Sequence, residues 1–552
     1  MLTRNLVRST VFAAAGFAAI LSACPAMAQT YDTQVLADLN TARPDGQGNF
    51  NVYWTVAPAI DGDAIAFVNS GPAGQEYWSA NVANPAKPVF TKLLDTTTKA
   101  PGGNGAFSNF VPPNNNLTLL NPKIQNGKLF FWAEDHTGAN GFGLYWINFA
   151  GGPVHKVVNY RTARPEGGTF GAPSSSPNNP DQFEAFYASG NLVLFDSSYG
   201  ETFVGATAGS APVVVADGNT KIYYGTQGFT YGCYAGKAID GVNVAVSASN
   251  CFDPSRGLNV MFVGPYNHFA SPSKLPVVTS DETLPGDADA TPHLDVISDN
   301  AFLSGNLLYF GGIDTFSTAS GGFYGFYFAP FGADGAPLAP GGSPIERVFD
   351  NVTSGLTGSF GSFGGTSFAQ GTTALIATDT ASNVTGLYMA ATDMPNLIST
   401  NLQRGVQAPL GISNGRLAFG GAGFFDQQLD FSSPASCRVA SVPAIKVTRG
   451  AVTAGAAAGE YQQVVTLRNS GEAAVTGPID LALTSLTDGV ALLNRSGVTF
   501  CTAPAGTPYV TASASGTSMA AGAKILVTLD WWSPATATVS YKPVVLSGAG
   551  AP

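Results

Sequence analysis

Two short hydrophobic patterns alternate along this chain, seven copies of each. In the first, a small polar residue and Gly precede an apolar run: Asp61-Gly62 to Phe67, Asn126-Gly127 to Trp132 and Ser189-Gly190 to Phe195. It returns at Asp240-Gly241 to Val246, Ser304-Gly305 to Phe310, Gln370-Gly371 to Ile376 and Asn414-Gly415 to Phe419. In the second, an apolar pair runs into Asp, Asn, Ser or Thr: Val35-Leu36, Leu93-Leu94, Val157-Val158, Val214-Val215, Val277-Val278, Val348-Phe349 and Leu397-Ile398. Several copies then enter a Pro/Gly turn that ends in Phe. Thr41 to Phe50 (TARPDGQGNF) is nearly repeated as Thr162 to Phe170 (TARPEGGTF), with Lys99 to Phe107 (KAPGGNGAF) between them. A period of roughly 60 residues made of strands and turns is the mark of a repeat architecture.

The glycine-led runs are apolar at nearly every position, as in Lys128-Leu129-Phe130-Phe131-Trp132. Alternation would mean one buried face, whereas continuous apolarity means two. The inner strand of a propeller blade, packed between neighbouring blades, meets that condition. A second strand is expected at Gln75 to Trp78, Gly143 to Trp146 and Gly386 to Tyr388. The apolar pair supplies a third strand, and the segment beyond its turn a fourth. The repeat region begins with the second pattern and ends with the first, so the two terminal half-units must pair for every unit to be whole. That pairing would leave no free sheet edge. The expectation is an all-β chain: a seven-bladed β-propeller over residues 29–442, with six or eight blades as alternatives. From 443 to 552, about seven strands separated by Gly, Pro, Asn and Ser point to an immunoglobulin-like or fibronectin-like sandwich. The repeats resemble those of uncharacterised exported bacterial β-propeller proteins. The tail, with VVTLRNSGEAAVTGPIDLAL, GTPYV and SYKPVVLSG, resembles the fibronectin-like domain that closes many exported bacterial proteins. These motifs are structural and bring no catalytic residue with them.

The ends and the composition add a compartment. Arg4 and Arg8, the apolar stretch from Val11 to Ala23 and Ala26-Met27-Ala28 form a secretory leader over residues 1–28. Leu21-Ser22-Ala23-Cys24 also matches a lipobox, so a lipid anchor on Cys24 is the alternative to a soluble exported protein. No later segment is apolar enough to cross a membrane as a helix. A net charge of −11 without a basic stripe excludes nucleic acid as a partner. Beyond the leader four cysteines remain, and export favours disulfides, with Cys233–Cys251 and Cys437–Cys501 the preferred pairing of three.

Few residues offer chemistry. Ser515 to Ala520 (SGTSMA) matches the surroundings of a subtilisin-type nucleophile, but the accompanying Asp and His segments are missing, so Ser518 is expected in a surface turn. Ser413 sits in a GxSxG string without the following helix that a nucleophile elbow needs. Asp281, Asp287, Asp289 and Asp295, near Glu282 and His293, are candidate ligands of a structural Ca²⁺, although their spacing departs from an EF-hand. No other cofactor is expected. Glu134, Asp135 and His136 follow an inner strand, and Asp196, Asp314 and Asp379 occupy what read as equivalent strand ends. These six are the candidate ligand-binding residues at the channel mouth, and no residue is assigned a catalytic role. Trp531-Trp532 with Tyr541 could stack on sugars, although adjacent strand residues face opposite sides. The function expected is a non-enzymatic binding or surface-interaction scaffold whose partner is a glycan, a cell-surface polymer or a protein. The alternative is a carbohydrate-active hydrolase or lyase using paired carboxylates.

Overall fold

The computed structural model describes residues 31–53, 56–103, 105–111, 120–135, 141–170, 183–197, 201–217, 221–224, 227–230, 237–249, 259–269, 275–279, 282–285, 294, 296–314, 323–332, 335–338, 343–351, 360–369, 372–380, 383–390, 396–399, 410–413, 415–420, 428–440, 442–455, 459–487, 490–502, 504–514, 516–533 and 538–552. The leader, Cys24, His136, Cys233, Cys251, Asp281, Asp287, Asp289, His293 and Asp295 lie outside the described residues.

The chain is all-β, and its repeat region is built largely of four-stranded antiparallel sheets, two of which are joined into one eight-stranded sheet by a parallel bridge at Lys237↔Asn300. One such sheet runs in the order Ala59–Asp61, Ala64–Gly71, Gly74–Asn81 and Val89–Asp95. The glycine-led apolar runs are the second strands: Ala64–Gly71, Lys128–Asp135, Leu192–Ser197, Asn243–Ser249, Leu307–Asp314, Thr372–Asp379 and Arg416–Gly420. A further strand precedes each, joined to it by the Gly turn. The apolar pairs lie at the other edge, as in Val89–Asp95, His155–Asn159 and Glu346–Asp350. Each sheet therefore begins one strand earlier than the sequence suggests, and the Pro/Gly turn leads out of one sheet into the next.

Packing explains the continuous apolar runs. In Lys128–Asp135, Leu129 and Phe131 pack with Val68 and Tyr77 of the preceding sheet. Phe130 and Trp132 pack with Val193, Phe195 and Phe203 of the following one. Each fully buried aromatic of this kind contributes roughly 1.5–3 kcal/mol. The same two-sided sharing continues along the chain: Leu194 with Val244 and Phe262, Met261 with Leu308 and Phe310, Tyr309 with Leu375, and Ile376 with Leu417 and Phe419.

The last sheet of the region is composite. Leu410–Ser413, Arg416–Gly420 and Leu429–Pro434 are completed by Tyr31–Ala37, which pairs antiparallel with Leu429–Pro434 from Tyr31↔Pro434 to Ala37↔Leu429. The N-terminal segment thus adds one strand to this sheet, whereas the sequence reading gave it two. Leu36 and Phe50 join Phe67, Trp78 and Phe431 in a single core. The first strands neighbour one another in chain order, and Leu410–Ser413 lies beside Ala59–Asp61.

The turns between first and second strands add polar stitching. Gly62, Gly190, Gly241 and Gly305 have φ of 57–60° at the first turn position, a conformation that Gly adopts most readily and that Asn126 holds in the equivalent turn at φ 50°. The freed Gly N–H donates to the equivalent polar residue of the neighbouring sheet: Gly241 to Ser189 Oγ (2.9 Å), Gly305 to Asp240 Oδ2 (2.9 Å) and Gly62 to Ser413 Oγ (3.0 Å). In two of these contacts the lateral acceptor is the small polar residue of the first pattern, Ser189 and Asp240.

Two further sheets follow. One is ordered Val439–Ala440, Lys542–Ser547, Ile479–Thr484, Pro508–Ser513 and Gly497–Val498; the other Ile445–Ala454, Glu460–Asn469, Lys524–Trp532 and Ala491–Leu492. They enclose one core containing Leu467, Leu529, Trp531, Leu481, Leu483 and Val545. These sheets rest on the repeat region through Arg495, whose guanidinium lies 3.7 Å over Phe328 and donates to Tyr309 Oη. Phe500 packs with Leu417 and Phe419.

Candidate functional site

The polar residue of the second pattern turns the chain out of its sheet. Asp38, Asp95 and Asn159 each lie three residues before a Thr, and each backbone N–H donates to that Thr hydroxyl at 3.2, 3.1 and 2.9 Å. The Thr41 hydroxyl donates back to Asp38 at 2.6 Å, and this bond holds the Asp38 carboxyl below its ordinary value. A short hairpin follows in each case, bridged at Ala42↔Asn49, Lys99↔Ala106 and Ala163↔Thr169. Its closing Phe enters the core of the next sheet. Phe50 meets Trp78 at 5.1 Å, Phe107 meets Tyr145 at 5.0 Å and Phe170 meets Phe203 at 5.1 Å.

An acid seats each of these hairpins, buried in the first two and partly buried in the third. Arg43 reaches Glu76 at 3.0 Å and Asp45 at 2.6 Å and lies over Trp78, with Arg43 4% and Glu76 1% exposed. The Glu76 carboxylate fills the space that a side chain at Gly71, the end of that second strand, would need. Arg164 pairs with Glu201 and stacks on Phe170. In the middle hairpin Ala100 stands where the other two carry Arg. There Asp135 occupies the space beside Gly103 and Gly141, and accepts from Tyr160 Oη at 2.9 Å. The recurring TARP string marked the hairpins, but nothing local to it marked Glu76 or Glu201 as partners.

Asp135, Asp314 and Asp379 hold the same place, the eighth and last residue of their second strands, and are 2%, 1% and 1% exposed. Asp196 is out of that register. It sits three positions earlier, fifth in Leu192–Ser197, because that strand is shorter. It is 5% exposed, pairs with Lys237 of the next sheet at 2.6 Å and accepts from Thr202 at 3.1 Å. Glu134 is partly exposed, with Asn109 Nδ2 at 3.4 Å from its carboxylate. The structure therefore distributes the described members of this group over several sheets, inside the packing between them.

The remaining candidates separate in the same way. Cys437 and Cys501 form a disulfide with Cα atoms 5.4 Å apart. Among the described residues no group of three His, Cys, Asp or Glu could hold a metal ion. Ser518 is exposed on the short strand Ser518–Met519, paired with Val475–Thr476. Ser413 is buried and accepts the Gly62 N–H, and a hairpin follows it in place of a helix. Trp531 is fully buried, 5.3 Å from Tyr541, while Trp532 packs beside Gly459 and faces Gly332 of the repeat region. No helix among the described residues is long and apolar enough to cross a membrane.

No protein-family model matches the sequence, and neither does any curated protein. Among solved structures, the chain is similar to YCF48 from Cyanidioschyzon merolae, at 10% identity and a TM-score of 0.35, over 74% of this chain and 100% of that one. It is similar to the β-propeller domain of the Trilobed protease from Pyrococcus furiosus, at 9% identity and a TM-score of 0.28, over 62% and 93% of the two chains. A puromycin-hydrolysing peptidase from Mycobacterium tuberculosis is matched at 10% identity and a TM-score of 0.39, over 79% of this chain and 60% of that one.

Proposed function

We propose that the chain is an exported, non-enzymatic binding scaffold: a seven-bladed propeller over 29–442, closed by Tyr31–Ala37, followed by an immunoglobulin- or fibronectin-like sandwich over 443–552. The cyclic order of neighbouring first strands and the core shared by Phe50, Phe67 and Phe431 support closure. The two facing sheets around Trp531 support the sandwich, and the Cys437–Cys501 bridge supports export.

The observation that carries the functional reading is the fate of the strand-end acids. A general acid or nucleophile must reach substrate within hydrogen-bond range. Asp135, Asp196, Asp314 and Asp379 are all at most 5% exposed, and Asp135 and Asp196 are held by Tyr160 and by Lys237 with Thr202. Such groups fix the sheets and loops of a rigid platform, which suits recognition better than turnover. The test combines a retention screen of the full chain on immobilised glycans and surface polymers with hydrolysis and lyase assays on the same polymers. Retention without turnover is expected, and Asp314→Asn and Asp379→Asn should lower the melting temperature. Turnover that Asp314→Asn abolishes while leaving the melting temperature unchanged would overturn the reading.

A further inference from the structure

From residue 443 onward the chain carries six Lys and Arg against five Asp and Glu, whereas the part before it carries nineteen against thirty-one. Three of those six cations stand in one line. Lys446 pairs in register with Arg468, and Arg468 with Lys524, across Ile445–Ala454, Glu460–Asn469 and Lys524–Trp532. Their neighbours Ile445, Leu467 and Ile525 turn into the sandwich core, so the three cations share the outer face. All three are exposed, and none forms an ion pair with a described residue. Neighbouring strands lie about 4.8 Å apart, so the row spans about 10 Å. Like charges directly opposite one another destabilise a sheet, and the acids of this face, Asp530 and Glu460, lie three and four rows further along the strands. The adjoining row, Thr448, Thr466 and Leu526, supplies two hydroxyls beside the cations.

The charge and the surroundings select the partner. A single-stranded nucleic acid would need aromatic platforms, and the outward residues of the next rows (Thr448, Val464, Thr466, Leu526 and Thr528) include none. Docking on an anionic membrane uses clusters of about four to eight cations, more than this row supplies. A linear polymer with regularly repeated anions and many hydroxyls matches a short cationic row flanked by threonines. Resting on the reading of the chain as a binding scaffold, we propose that this sheet face binds a linear acidic polysaccharide, its carboxylates or sulfates lying along Lys446, Arg468 and Lys524.

The test titrates the full chain with an oligouronate, a sulfated oligosaccharide and a neutral oligosaccharide of equal length. At low salt one of the two charged probes should bind, identifying the anion, and the neutral one should not. Binding should weaken steeply as salt is raised, and the triple variant Lys446→Gln, Arg468→Gln, Lys524→Gln should bind at least tenfold more weakly. The melting temperature of that variant should equal or exceed the parent's, since the substitutions are at exposed positions and remove repulsion between opposed like charges. Equal binding by parent and variant, equal binding of the neutral probe, or failure of both charged probes at low salt would overturn the proposal. If the charged probes fail while the chain is retained on another polymer, this face falls and the scaffold reading stands.

Discussion

Asp196 and Lys237 offer the sharpest separation between an acid that supports the fold and one that performs chemistry. The pair joins the second strand Leu192–Ser197 to the first strand of the next sheet, Lys237–Asp240, at 2.6 Å. Its side chains are 8% and 7% exposed, so neither charge is solvated by bulk water. Removing Asp196 strips the buried Lys237 ammonium of this carboxylate, and Thr202 also loses its acceptor. Breaking a buried pair in this way costs about 3–5 kcal/mol, whereas replacing both members by apolar residues of similar volume is often neutral or stabilising. Asp196→Ala should therefore be destabilised by about 3 kcal/mol or more in urea unfolding, with little change in slope. The double variant Asp196→Leu, Lys237→Met should recover most of that loss. An Asp196→Ala protein within about 0.5 kcal/mol of the parent, the usual range for a surface substitution, would refute the strut argument. So would a double variant no more stable than the single one.

Two other substitutions probe the packing. The Lys123 ammonium lies 5.7 Å over the Phe186 ring, and burial lowers its pKa from 10.5 to about 8. The folded state thus disfavours the charged form. Stability should be lowest below pH 8 and rise between about pH 8 and 10.5, where the folded chain has released this proton and the unfolded chain still holds it. Lys123→Met should stabilise the protein at pH 7 by on the order of 1–3 kcal/mol, with the gain vanishing above pH 10.5; a pH-independent gain would contradict this cause. The Cys437–Cys501 bridge closes a separation of 64 residues, worth about 4 kcal/mol in the chain-entropy treatment. Phe500 and Cys501 share a core with Leu417, Phe419 and Tyr31, so Cys437→Ala, Cys501→Ala should speed hydrogen exchange in Tyr31–Ala37 as well as in the sandwich. Loss confined to residues after 443 would show that the two regions are uncoupled.

Much of this arrangement is legible in the sequence, and the misreadings have physical causes. Continuous apolarity in Lys128–Asp135 correctly reports a strand buried on both faces, but it cannot say which position in the sheet that strand takes. The preceding strand Lys123–Gln125 is three residues long and reads as polar, because Ile124 is its one apolar residue. The sheet consequently starts one strand before the visible run. Asp196 was aligned with Asp135 by the end of an apolar run, and only the hydrogen-bond register reveals the shorter strand. Buried partners such as Arg43 with Glu76, 33 residues apart, leave no local signature. The pairing of Cys437 with Cys501 is one of the few that four cysteines allow.

The proposed closure of a propeller by the N-terminal strand is tested most directly by one cross-link. Thr33 and Ser432, 399 residues apart, face each other with their hydroxyl oxygens in contact at 2.5 Å. Opposed residues of an antiparallel pair have Cα atoms about 4.5–5.5 Å apart, within the range a disulfide spans. In the full chain carrying Thr33→Cys and Ser432→Cys, an intramolecular disulfide should form on mild oxidation, shifting gel mobility without dimerisation and raising the melting temperature. Two free thiols that stay reactive under oxidation, or a bridge found only between separate molecules, would contradict closure by Tyr31–Ala37.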